Sequence, residues 1–537
     1  MTTNPRVIRL TSSLSILLFL TLFTFMAHKP LFLDSVDFAA AASATAETGK
    51  PVYYRGEWNQ NHAALWHPPL YVYLLAGWFK LFGAGEAQGC AFGMLCALLQ
   101  ALIVLWIIQT LFGRAARFCI EPWFLAVFLL NPYTIQTAAV LDIDSTIYGP
   151  LLCLILLGTL RLTWREGQTR QDEPSRIEYA WVALAVAAAL WAKLTTVLAV
   201  IPFVGLLLIS RFGFWRAARI TAVVAAAGVG AFLVTYLGYG ALLRLDVKYT
   251  FNFLLFSLSQ RGSSGQSGLG TRLLDFGNNA AAMIPFMIRW TGLLPWLACA
   301  GGIWIAGRAA LTRRSARAQH YFLLLVLTVS TTLYYCGQTQ TFGSAPFKYT
   351  VVFWGLVLTT PLLLASGGRL WKERPDEEPG GDGLPAGQAS WYLLVALFLV
   401  AAWYGRYVLG DRQLLEYRMV KWVQMAPAAL VLPAIYAGMR DRRWFSYARA
   451  ALLAGICAWA GLELGIAVLQ AKAPYSTTYD YGQAGIEETA AFIRLNTSPG
   501  DVIASMKDLG YLARRRYYEN YIGLFGGPEA TRQFIEV

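Results

Sequence analysis

The chain has 537 residues, 57% of them hydrophobic and only 14% charged, with a formal charge of +13. A soluble chain of this length carries far more charge, so the composition excludes a set of soluble domains and defines a polytopic membrane protein. The positive charge does not point to nucleic acid, because the basic residues sit in short loops between apolar runs and form no arginine stripe with interleaved aromatics.

A helix needs about 20 apolar residues to cross the hydrocarbon. On that rule the first spans are 7–27, 86–112, 121–140 and 145–162. The first run follows Arg6 and Arg9 but is too long for a signal-peptide core and lacks an adjacent small-x-small site, so an uncleaved helix is expected. The apolar run from Tyr179 to Ser210 is split by Lys193 into spans five and six. Spans 218–240, 283–306, 320–337, 348–366, 390–408, 420–438 and 449–468 complete a set of thirteen. Every second loop is basic, as at Arg114 and Arg117, Arg211 and Arg216, or Arg440 and Arg442, which predicts an inside N-terminus and an outside C-terminus.

The segment from His67 to Phe82 is apolar but too short to cross. Counting it as a span would also invert every later basic loop, so a helix lying in the interface is expected, with Lys80 snorkelling. The chain therefore reads as an α-helical transmembrane domain over 1–468, with a large first outer loop at 28–85 and a flexible inner linker at 372–389. A small outer α/β unit follows over 469–537, with a helix over 486–494, a Ser498-Pro499-Gly500-Asp501 turn and a short buried strand over 502–504. The seven cysteines show no metal spacing and are expected to be small core residues.

Ionisable groups near lipid are costly and therefore candidates for function. Those on the expected outer side are Asp34, Asp37, His62, His67, Asp142, Asp144, Lys193, Arg261, Arg289 and Lys348. Asp34 and Asp37 lie one helical turn apart, and a carboxylate at the membrane surface can take a proton from an attacking hydroxyl. A helix cap before the run starting at Phe38 explains one acid but not both. Asp142 and Asp144 separate spans three and four on the same side; they read as a shared acidic site, as a polar hairpin, or with His62 as ligands of a divalent cation. No other cofactor is expected. Lys193, His67, Lys348 and Arg261 (ahead of a Gly/Ser-rich outer loop) are candidates for binding a donor phosphate. Glu463 lies mid-span and has no assigned role.

Asp34, then Gly49-Lys50-Pro51, then His67-Pro68-Pro69-Leu70-Tyr71 through Phe79-Lys80-Leu81-Phe82-Gly83, resemble the opening of polytopic glycosyltransferases. The type is that of the protein O-mannosyltransferases and lipid A aminoarabinose transferases, family 39-like enzymes of GT-C fold. Ala139-Val140-Leu141-Asp142, Ala192-Lys193-Leu194-Thr195 and the tail segment from Glu488 to Val502 fit the same pattern. The resemblance implies inverting transfer of one sugar from a polyprenyl-phosphate donor to a lipid, glycan or protein acceptor on the outer face of a bacterial inner membrane. It implies a role for Asp34 near the acceptor or as base. Many members carry Asp-Glu there; this chain has Asp34-Ser35, with Asp37 as the candidate second acid, and it has His67 where some members have lysine. Two alternatives stand beside this reading: a lipid or polysaccharide transporter or flippase, for which a deep charge such as Glu463 is expected, and a surface-glycan polymerase or ligase.

Overall fold

The computed structural model describes residues 5–27, 31, 34–51, 65–163, 175–252, 254–255, 274–281, 292–313, 316–338, 345–366, 427–429, 445–472, 486–505 and 507–518. The linker 372–389, the span 390–408, most of 420–438, and His62, Arg261 and Arg289 lie outside the described residues.

Four helices open the chain: α1 (Pro5–Met26), α2 (Asp34–Thr48), α3 (Leu70–Phe82) and α4 (Glu86–Leu129). α1 has 22 residues, about 33 Å at helical rise, enough for the hydrocarbon core. α3 has only 13 residues and buries Tyr71, Val72, Leu75, Ala76 and Phe79 against α2 and α4, while Lys80 stays exposed. A spacing of one and four residues gives one apolar face, as expected for a helix lying on the bundle rather than crossing it.

α4 runs continuously for 44 residues except at Gly113, whose φ of 84° no helix adopts. The chain doubles back there: Gly355 lies against both Val104 and Phe124, which a straight helix would hold about 30 Å apart. Gly113 therefore separates the second and third expected spans. The third span does not reach 140 unbroken. It stops at Leu129, and α5 (Pro132–Ala139) starts afresh, because Pro132 has no N–H to continue the ladder. Asn131 caps the new start, its Oδ1 accepting from Tyr133 N at 2.9 Å.

After an irregular turn over 140–147 come α6 (Tyr148–Thr163), α7 (Arg176–Ala192), α8 (Leu194–Phe212) and α9 (Phe214–Leu243). α7 opens on a capping box of Ser175 and Glu178 and packs along α6 and α9. Lys193 alone separates α7 from α8, in extended backbone at φ −164° and ψ 133°, so the expected break falls on that residue. α10 (Leu293–Arg313), α11 (Ala316–Gln338) and α12 (Ala345–Ser366) pack on one another. α13 (Phe445–Lys472) closes the bundle against α1, α5 and α12. Among the described residues, four helical stretches are long and apolar enough to cross a membrane: Ile8–Met26, Glu86–Leu129, Phe214–Leu243 and Ala450–Val468.

The tail folds as α14 (Ile486–Asn496), β1 (Val502–Ala504), α15 (Lys507–Leu512) and β2 (Arg516–Tyr518), with β1 and β2 parallel. The strand expected to be buried is not: Val502 is 50% exposed, since β1 pairs only with β2 among the described residues. α15 rests on α2, which ties the tail to the segment after α1. Five of the six cysteines described are buried and Cys119 is exposed.

Candidate active site at the acidic turn

The acids of 140–147 sit in a turn that satisfies itself. Asp142 Oδ1 accepts the Asp144 N–H at 3.0 Å, an Asx turn. The Asp142 carbonyl accepts from Thr146 N at 3.1 Å and from Thr146 Oγ1 at 2.5 Å, and Ser145 Oγ donates to the Val140 carbonyl at 2.7 Å. Asp142 and Asp144 are 4% and 2% exposed. Burial of the turn is helped by partners for the N–H groups of Val140, Leu141, Asp142, Asp144 and Thr146.

Two glycines bring this turn against the bundle. Gly89 and Gly93, one turn apart on α4, face Leu141 and the Ala138 carbonyl, and a methyl group at Gly93 would overlap that carbonyl. In hydrocarbon, close approach of backbones replaces the missing hydrophobic drive for association.

From the other side the segment after α1 docks on the turn. Ser35 Oγ accepts the Leu141 N–H at 3.1 Å, across 106 residues. This fixes the N-terminus of α2, which starts at Asp34, on the turn at Leu141. The helix expected to start at Phe38 begins four residues earlier, at Asp34. Asp37 follows one turn later and is half-buried. The His67-Pro68-Pro69 turn enters the same region. Phe38 packs edge-on against Tyr71 at 4.9 Å and against Trp66 at 5.6 Å. The Tyr71 hydroxyl is close enough to feel both Asp142 and Thr146 but makes no hydrogen bond of standard geometry.

Lys193 completes the cluster. Its Nζ lies 2.5 Å from Asp144 Oδ2, and the lysine is 7% exposed. The sequence offers it as a candidate for a donor phosphate; in the fold its ammonium group is bonded to a buried carboxylate. The same contacts bear on the cation reading. Asp142 Oδ1 and Asp144 Oδ2 are already engaged, by a backbone N–H and by Lys193. Among the described residues no three His, Cys, Asp or Glu side chains gather as metal ligands.

The contacts on this turn are thus Ser35 with Leu141, Asp144 with Asp142 and with Lys193, and Tyr71, four residues after His67, beside Asp142. Lys348 stands in the first turn of α12, which starts three residues before the expected span. Ser35 escapes sequence reasoning although it follows Asp34 directly; nothing local distinguishes a helix-start serine whose partner is 106 residues away. Glu463 lies below the site, 2% exposed, and Asn131 Nδ2 donates to its Oε2 at 3.4 Å.

A bundle of apolar helices with the segment after the first helix docked on a buried acidic turn is the fold seen in GT-C membrane proteins. Two solved structures share that fold over nearly the whole chain. They are ArnT from Cupriavidus metallidurans bound to undecaprenyl phosphate (TM-score 0.59, 16% identity, 98% of this chain and 90% of that one) and the same protein in the apo state (TM-score 0.56, 16% identity, 97% and 88%). The archaeal oligosaccharyltransferase AglB from Archaeoglobus fulgidus, in complex with an inhibitory peptide and a dolichol-phosphate, aligns at a TM-score of 0.46 and 12% identity over 97% of this chain and 65% of that one. No protein-family model matches the sequence, and no curated protein does.

Proposed function

We propose that this protein is an integral-membrane glycosyltransferase that moves a sugar from a polyprenyl-phosphate donor to a lipid, glycan or protein hydroxyl, on the outer face of a bacterial plasma membrane. The observation that carries the reading is the Ser35–Leu141 bond, which seats the Asp34 end of α2 on the buried Asp142 turn, in a fold shared with an ArnT structure that holds undecaprenyl phosphate.

In the reaction the acceptor oxygen attacks the anomeric carbon as the bond from that carbon to the phosphate oxygen breaks, with inversion. The proton of the attacking hydroxyl passes to Asp34, with Asp37 or Asp142 as the neighbouring acid, and the electron pair leaves with the polyprenyl phosphate. Charge grows on that phosphate in the transition state, where fixed cations act most strongly. His67, Lys193, Lys348 and Arg261 are the groups assigned to it. Lys193 is held in place by Asp144 until an anion competes for it. A divalent cation at Asp142, Asp144 and His62 is a secondary proposal, since it has to displace the contacts those two acids now make.

The test is turnover of short-chain polyprenyl-phosphate sugars by purified protein, with and without EDTA. Release of free polyprenyl phosphate is the expected result. Unchanged release in EDTA removes the cation, and binding without release across a panel of acceptors removes the transferase reading in favour of transport.

A further inference from the structure

α9 is 30 residues long, about 45 Å, and overshoots the hydrocarbon by about half its thickness. At its far end Phe232, Tyr236 and Tyr239 stack, ring on ring, at 5.2 and 6.1 Å. The two tyrosines each end in a relay of hydroxyls. Thr250 Oγ1 donates to the Leu65 carbonyl at 2.5 Å, which uses its one proton, so Tyr236 is the donor in the 2.5 Å contact with Thr250. Likewise Tyr73 donates to the Gly49 carbonyl at 3.1 Å, so Tyr239 donates to Tyr73 at 3.0 Å. Gly49 ends α2, and Leu65 stands two residues before His67. One helix therefore holds the outgoing end of α2 and the incoming end of the His67 turn.

The same stack reaches the end of α7 that leads into Lys193. Trp191, two residues before it, sets its ring edge-on against Tyr236 at 5.2 Å and Tyr239 at 5.4 Å. Its indole N–H is fixed by Thr235 Oγ1 at 2.9 Å. A continuous path of contacts joins the Lys193 end of α7, through Trp191, Tyr236 and Thr250, to the backbone next to His67. Thr250, Tyr236 and Leu65 are 1%, 0% and 0% exposed, so no water competes for these bonds.

We propose that Tyr236 and Thr250 are positioning residues that fix the His67 turn relative to the Asp144–Lys193 pair, and so set the spacing of two groups that take one donor phosphate. The functional half of this rests on the glycosyltransferase reading; the structural half does not. The chain has four histidines, so histidine-selective isotope labelling gives a countable NMR spectrum in which His67→Gln assigns the His67 signal. Thr250→Val keeps the shape but removes both bonds and orphans the Leu65 carbonyl. Thr250→Ser keeps the hydroxyl. Tyr236→Phe keeps the ring and the Thr250–Leu65 bond, and it decides the matter if Thr250→Val does not fold.

The expected result is a displaced or broadened His67 signal in Thr250→Val, a smaller displacement in Tyr236→Phe and a native position in Thr250→Ser. With it goes a KM for the polyprenyl-phosphate sugar raised about tenfold by Thr250→Val, as expected for losing a net hydrogen bond or two, with kcat unchanged within about twofold. A His67 signal that stays put in the variants overturns the positioning role whatever the activity. A displaced signal with native KM overturns its link to the phosphate. Absence of turnover in the unmodified protein counts against the glycosyltransferase reading alone and leaves the NMR result standing.

Discussion

Among single residues, the Asp144–Lys193 pair makes the sharpest prediction. Both partners are buried, and removing one leaves the other's charge uncompensated. Lys193→Met should cost about 3–5 kcal/mol of stability, and Asp144→Asn added to it should restore most of the loss, because a neutral pair no longer strands a charge. Denaturant titration of the single and double variants checks this, and a double variant no more stable than the single would refute it. Asp142 permits a cleaner separation of charge from architecture. Asp142→Asn keeps an Oδ1 to accept the Asp144 N–H, so the turn should survive while transfer falls about a hundredfold or more, the usual scale for losing an acid or base. Asp142→Ala should lose the turn as well, seen as a lower midpoint. Asp34→Asn should fold and lose transfer; full activity would remove Asp34 as the base.

Among elements, the contact between α4 and α5 sets where the acids stand. Gly93 leaves no room for a methyl against the Ala138 carbonyl. Gly93→Ala should destabilise by about 1–3 kcal/mol, the scale of overpacking, and should lower turnover by shifting the acidic turn. Gly77→Ala, which meets nothing within 4 Å, is the matched control. Helices are legible in the sequence where apolar length alone decides them, as in α1, α9 and α13. The break at Lys193 is legible because an ammonium group is costly in hydrocarbon, so a lysine inside an apolar run marks where a span ends. The end of the third span is not, because Asn131-Pro132 reads as a kink or a stop with equal ease, and only the cap on Tyr133 N shows that a new helix starts.

For the whole molecule, the tail packs on the helical bundle rather than standing apart from it. α15 rests on α2, and Tyr511 packs on the main apolar core. A chain ending after Lys472 should keep its helical bundle yet lose most transfer, because α2 loses the helix that packs against it. Helical content by circular dichroism and turnover, measured on one preparation, test both halves. The site as a whole is half legible. Asp34, Asp142 and Lys193 stand out as charges beside lipid. Ser35, Thr250 and Tyr236 do not, since a hydroxyl gains its meaning only from a partner 106, 185 or 14 residues distant. A sequence read locally carries no record of such distances.

The ion pair also bears on how the protein is made. Asp144 precedes Lys193 by 49 residues, about 3–10 s of translation. For that interval the nascent chain has delivered a carboxylate to the membrane boundary whose counter-charge has not yet been synthesised. Ser35 and Leu141 are both available by then, so the acidic turn can form early but cannot be locked. A nascent chain arrested before Lys193 is therefore the state in which this protein is most exposed to membrane quality-control proteases, and one arrested some 40 residues later, with Lys193 clear of the ribosome, should already escape them.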